Sequence, residues 1–176
     1  AAVHKANVLK LSDGLFLREV RKVAAEFPGV ELEEVIVDAA AALLVRSPDR
    51  FDVMLTTNMF GDILSDEATE LSGSLGLGGS INASDSICVA QAQHGSAPDI
   101  AGQDRANPTS LLLSSAMLLD WLGRRHRNSE LMFAALALEA AVESVLADPA
   151  TRTRDIGGTL GTAAFGEAIC AAVRAG

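Results

Sequence analysis

Residues 51–73 read FDVMLTTNMFGDILSDEATELSG. The opening run, Phe51 to Thr57, is short and apolar, as a strand buried in a parallel sheet would be. The segment from Gly61 to Gly73 then has helical character and ends on a glycine. Upstream, Glu34-Val35-Ile36-Val37 reads as a second short strand, and DAAAALLVRS after it as a helix closing near Pro48. Further upstream, SDGLFLREVRKVAAEF carries Leu15, Val20, Val23, Ala24 and Phe27 at helical spacing, with Ser12 as the expected N-cap and Pro28-Gly29 as the stop. Strands alternating with helices in this order predict an α/β protein.

Downstream, GSLGLGGS (73–80) has no strict repeat and reads as a crossover or hinge loop. SICVAQ is the next strand, and residues 94–106 are a loop. Asn107-Pro108 predicts a cap and a first-turn proline for TSLLLSSAMLLDWLG, a helix apolar nearly all round and so expected to be buried. Asn128 is the expected cap of the Ala-rich helix after it. TRTRDIGG is a loop, and the chain closes on a helix. The glycine-rich break divides the expected fold into two parts, residues 1–73 and 74–176.

The 176 residues carry 14 Lys+Arg against 23 Asp+Glu, a net charge of −9, with 49% apolar residues. That balance suits a folded domain and argues against nucleic acid as a partner, because little is present to neutralise phosphates. No run is long and clean enough to span a bilayer, and AAVHKANVLK has no apolar core of a signal peptide. Cys88 and Cys170 are far apart with no CxxC, which fits a reducing cytoplasm better than a disulfide framework. The chain lacks Tyr and an initiator Met and opens inside an ordered-looking segment, so a fragment is expected.

Three stretches could carry chemistry. From Phe51 to Asp104 there are eight acids and no Lys or Arg. Asp62 and Asp66 stand four apart on a predicted helix and share a face. First-turn acids are ordinary there, since the helix dipole favours them. The pair equally suits Mg²⁺ or Mn²⁺, which take oxygen ligands and often only one or two carboxylates. Asp38 follows Val35-Ile36-Val37, at the strand end where α/β proteins place ligands. Second, His94-Gly95-Ser96-Ala97-Pro98-Asp99-Ile100 offers glycine, a hydroxyl and main-chain N–H groups for a phosphate, with Asp99 able to accept from a ribose diol. It is not GxGxxG, and a structured turn explains it as well. Third, Lys5 lies in the apolar segment Val3 to Leu9, where a lysine either serves as acid or base or reaches out to solvent.

Together HKANVLK, VDA, TTNMFGDILSD, GSLGL, HGSAPDIAG, ANPTS and TRDIGG stand in the order found in the β-decarboxylating dehydrogenases, the isocitrate/isopropylmalate dehydrogenase family, and the chain resembles the downstream half of such enzymes. The resemblance implies that family's α/β fold, a parallel or mixed sheet with flanking helices in two subdomains. It implies metal ligation by Asp62 and Asp66 with Asp38 reaching in from the partner of a homodimer, and a catalytic role for Lys5 across the same dimer. Asn7 falls near substrate and nicotinamide. His94, Gly95, Ser96, Ala97, Asp99, Ile100 and Asn107 fall in an adenosine-binding loop, where Asp99 favours NAD over NADP. The implied reaction is oxidative decarboxylation of a 3-substituted malate, a 2-hydroxy acid. The chain departs from the family pattern in having Gln91 where many relatives carry Glu. The family's catalytic tyrosine and substrate arginines belong to an upstream segment, so the isolated 176 residues are expected to be inactive. A Mg²⁺-dependent lyase or phosphotransferase would use the Asp62/Asp66 pair without a nucleotide loop, and HGSAPDI speaks against it. A non-catalytic dimerisation module is the other alternative.

Overall fold

The computed structural model describes residues 1–175 and divides into two compact units, Ala1–Leu71 and Ser72–Gly176. The first unit begins with β1 (Ala2–His4), which is buried along its length and pairs in parallel with β2 (Glu34–Ile36) in the register Ala2↔Glu34, Val3↔Val35, His4↔Ile36. Parallel neighbours need a crossover. It is supplied by α1 (Ser12–Ala24), which buries Leu17. Two further helices follow, α2 (Val37–Arg46) directly after β2 and α3 (Asn58–Leu71). Val3, Val35, Ala40 and Leu64 make the core, one residue from each strand and each of these two helices.

Three expectations fail locally in this unit. Ser12 is not the cap of α1: Leu11 holds that position in helical geometry, and no side chain caps the helix. The run 51–57 is not a buried strand. It touches β1 only through the bridge Ala2↔Leu55, and Val53 and Leu55 are 68% and 48% exposed. One edge of Leu55 is satisfied, its N–H donating to Ala1 O and its carbonyl accepting Val3 N–H. A strand becomes central only when both edges are paired. The strand at Glu34 also ends one residue early, because Val37 already opens α2.

The second unit is built on a hairpin, β3 (Gly79–Ala83) and β4 (Cys88–Ala92), antiparallel from Gly79↔Ala92 to Ala83↔Cys88. The glycine-rich stretch is thus only partly a loop: Leu75–Leu77 is a 3₁₀ turn and Gly79 opens β3. Against the hairpin packs α4 (Thr109–His126), followed by α5 (Ser129–Ala147) and α6 (Thr162–Ala175). Asn128 caps α5 as expected, its Oδ1 accepting from Glu130 N–H at 2.9 Å. Ala141, Val142, Val145, Phe165 and Ile169 form the core between α5 and α6.

The expectation that α4 is buried nearly all round fails. Its buried residues are Thr109, Ser110, Ser114, Ala116 and Gly123, whereas Leu111 is 52% exposed. The hairpin explains this. Ser114 Oγ accepts Ser80 N–H at 2.9 Å and lies 2.7 Å from the Gln91 carbonyl, and Ser110 Oγ accepts Gln93 N–H at 3.1 Å and donates to the Gly78 carbonyl. Buried main-chain groups must find partners, and small hydroxyls provide them at close approach.

Candidate functional site

In the first unit the parallel register of β1 and β2 brings their C-terminal ends side by side. Lys5 is the residue after β1, and Asp38 sits in the first turn of α2, two residues beyond β2. Lys5 Nζ donates to Asp38 Oδ1 at 2.5 Å. This hydrogen bond, with one from the main-chain N–H of Asp38 itself, holds the Asp38 carboxyl below the usual carboxylate range. The main chain of Lys5 is fixed as well. Asp13, only 3% exposed, accepts Lys5 N–H at 2.6 Å on Oδ2. The next turn closes where Lys5 O accepts the N–H groups of Val8 and Leu9. His4 Nδ1 accepts Ala6 N–H at 3.1 Å, which fixes its tautomer as Nε2-protonated. Asn7 is exposed at the tip of this turn.

Asp62 and Asp66 are both exposed on α3, one turn apart, and Asp62 Oδ2 accepts from Asn58 Nδ2 at 3.3 Å. Among the described residues no three His, Cys, Asp or Glu side chains gather to hold a metal ion. Asp38, Asp62 and Asp66 therefore do not form one three-acid group within the chain. The pair on α3 still suits a hard cation in its donor set, two oxygen anions with room left for other ligands.

In the second unit, Ser74, Leu75, Gly76, His94, Gly95, Ala97, Ile100, Arg105, Ala106, Asn107 and Asp155 line a cavity of about 430 Å³. That is within the range of small-molecule pockets. Five of the predicted loop residues meet on this wall: His94, Gly95, Ala97, Ile100 and Asn107. Ser96 and Asp99 lie on the same loop, exposed, and are not part of the wall. Ala97 has φ +42°, a left-handed conformation uncommon for alanine, just ahead of the 3₁₀ turn Pro98–Ile100. No heavy atom lies within 4 Å of where a Cβ on Gly95 would stand, so the loop leaves open space for a ligand there. The loop's return limb is anchored to α6: Asp104 Oδ1 accepts Ala163 N–H at 2.8 Å and Thr162 Oγ1 donates to Ala106 O at 2.5 Å.

Wall positions outside the 94–107 loop and one buried acid escape the sequence reading. Asp155 sits in TRTRDIGG, read only as a loop. Ser74, Leu75 and Gly76 belong to the stretch read as a hinge, and Asp13 looks like an ordinary first-turn acid. The signal for Asp155 was its place in a quoted motif; for Asp13 no sequence signal exists.

With this geometry, the comparisons with known proteins converge. Residues 1–169 match the model of the isocitrate/isopropylmalate dehydrogenase family, and the chain belongs to that family. It is 50% identical over 171 residues to the isocitrate/homoisocitrate dehydrogenase of Thermus thermophilus, covering 97% of this chain and 49% of that protein. It is 43% identical over 171 residues to the NAD isocitrate dehydrogenase catalytic subunit 5, mitochondrial, of Arabidopsis thaliana, covering 97% of this chain and 44% of that one. The structure superposes on crystalline isocitrate dehydrogenase from Methylococcus capsulatus with a TM-score of 0.90 at 44% identity, covering 98% of this chain and 50% of that chain. The chain spans about half the length of the curated relatives it matches.

Proposed function

We propose that this chain is the downstream part of an NAD- and divalent-metal-dependent dehydrogenase that oxidises and decarboxylates a 3-substituted malate of the isocitrate, homoisocitrate or isopropylmalate type. The observation that carries the reading is the Lys5–Asp38 pair at 2.5 Å, held at the C-terminal ends of two parallel strands. Names of relatives support the substrate class and, for the Arabidopsis protein, the nicotinamide cofactor.

In this reading Asp62 and Asp66 hold Mg²⁺ or Mn²⁺ together with Asp38 of a second copy in a homodimer. The exposure of all three acids supports that arrangement. Lys5, beside Asp38 in that second copy, moves a proton at the substrate's 2-hydroxyl oxygen, and the Asp38 carboxylate holds the lysine side chain in place. Asp13 keeps the Lys5 main chain from shifting, so the amine is presented from a fixed point. Asn7 lies beside substrate and nicotinamide. The loop from His94 to Asn107 binds the adenosine part of NAD, with Ser96 and Asp99 on its solvent side, where a 2′-phosphate would meet the Asp99 carboxylate. When bound, the cation supplies Lewis acidity toward the developing enolate and NAD⁺ supplies the hydride acceptor. A reducing cytoplasm agrees with the two free thiols of Cys88 and Cys170.

The test uses the full-length gene product with Mn²⁺, NAD⁺ and a panel of 3-substituted malates. At least one malate should reduce NAD⁺, and Asp62→Asn should abolish that turnover and weaken Mn²⁺ binding, measured by calorimetry without substrate. Loss of an anionic ligand lowers the charge where the cation must shed water. Unchanged Mn²⁺ affinity in Asp62→Asn overturns the metal assignment. NAD⁺ reduction by the isolated 176 residues overturns the division of labour with an upstream segment.

A further inference from the structure

The carboxylate of Asp155, in the 3₁₀ turn Arg154–Ile156, ties together segments of the cavity wall that are far apart in sequence. Its Oδ2 accepts from Ser74 Oγ at 2.5 Å and from Asn107 Nδ2 at 2.9 Å. Burial alone would raise this carboxyl, but hydrogen bonding by Ser74, Thr153, Asn107 and the main-chain N–H of Asp155 itself together outweighs it and holds the group below its ordinary value. At the other end of the same amide, Asn107 Oδ1 accepts Thr109 N–H at 3.0 Å. Both ends of the Asn107 amide are therefore engaged, and the residue is only 7% exposed. The carboxylate and the Thr109 N–H also dictate which end is which. A flipped amide would set its oxygen against Asp155 and its NH₂ against a donor. Gly76 closes the third side, since a Cβ there would stand 2.8 Å from Asn107 Cβ.

We infer that Asp155 is a positioning residue of the nucleotide cleft, acting through Asn107. It holds the amide in the wall, out of a ligand's reach, and so sets the return limb of the 94–107 loop against the Ser74–Gly76 segment. Asn107 then shapes the cleft rather than offering its side chain to the ligand. This inference rests on the reading of that loop as a nucleotide site.

Calorimetric binding of ADP to the full-length gene product tests it, with NMR of the Asn107 side-chain amide alongside. Asn107→Asp sets two carboxylates face to face and should weaken ADP about tenfold, while the swap Asn107→Asp with Asp155→Asn restores both a donor at 155 and an acceptor for Thr109 and should recover most of the affinity. Asp155→Ala should weaken ADP about as much as Asn107→Ala, with the double variant no weaker than either. It should also shift the Asn107 amide signals while the fold persists. Additive losses, a swap that fails to recover, or parent-like affinity in a folded Asp155→Ala protein overturn the inference. Failure of the unsubstituted protein to bind ADP is a different result, since it overturns the nucleotide reading itself.

Discussion

Asp13 shows what a single buried charge contributes. It is 3% exposed, and its oxygens meet Lys5 N–H at 2.6 Å and Ser12 Oγ at 3.2 Å. A buried carboxylate with no cation partner is tolerable only when its oxygens are occupied by donors, and a charge-assisted bond to a main-chain N–H is among the stronger of these. Asp13→Ala would leave the Lys5 N–H buried without an acceptor, at about 1–3 kcal/mol. Native-state hydrogen exchange should show Lys5, Val8 and Leu9 exchanging much faster in Asp13→Ala, with the α5–α6 core unchanged. Uniform protection across the turn would show that Asp13 does not hold it.

At the scale of the element, α4 is fastened to the hairpin by hydroxyls. Ser114 is fully buried and serves the Ser80 N–H, whereas neighbouring Ser115 is only half-buried and bonds to Leu111 O of its own helix. Ser114→Ala should cost about 1–3 kcal/mol, because a strand N–H loses its acceptor. Ser115→Ala should fall within about 0.5 kcal/mol of the parent. Thermal unfolding followed by the fluorescence of Trp121, which lies on α4, measures both. Equal effects would mean that apolar packing alone holds the helix.

Across the whole molecule the acidic balance is met by a few exposed ion pairs. Arg50 bonds Glu33 and Arg21 bonds Glu34 through two nitrogens at 2.6 Å each. In both cases the arginine hydrogen bond is the main cause that pulls the glutamate below its ordinary value of 4.5. A carboxyl with a lowered folded value contributes stability above the unfolded value and loses it as pH falls through the folded one. The melting temperature should therefore stay level from pH 7 down to about 5 and fall below pH 4.5. Added salt should shrink the drop, since exposed pairs are screened. A Glu33→Gln, Glu34→Gln protein should show a shallower acid decline, and an unchanged decline would place the acid sensitivity elsewhere.

The sequence by itself determined the helices α1 to α6, the strands β2 and β4, the Asn128 cap, the family and the composition of the 94–107 loop. These follow from short-range rules: apolar period, side-chain caps, glycine and proline positions, and motif order. It could not decide that 51–57 would stay half exposed, because pairing on a strand's second edge depends on what lies beside it. Nor could it show that α4 would bury its serines rather than Leu111, because that choice depends on which main-chain groups of the hairpin needed partners. Asp13, Ser74 and Asp155 gained their places only in three dimensions. Each acts on a residue 8 or more positions away, Asp13 on Lys5 and Asp155 on Ser74 and Asn107. Only the folded chain brings such partners within hydrogen-bond reach, because no local periodicity encodes a contact over that separation.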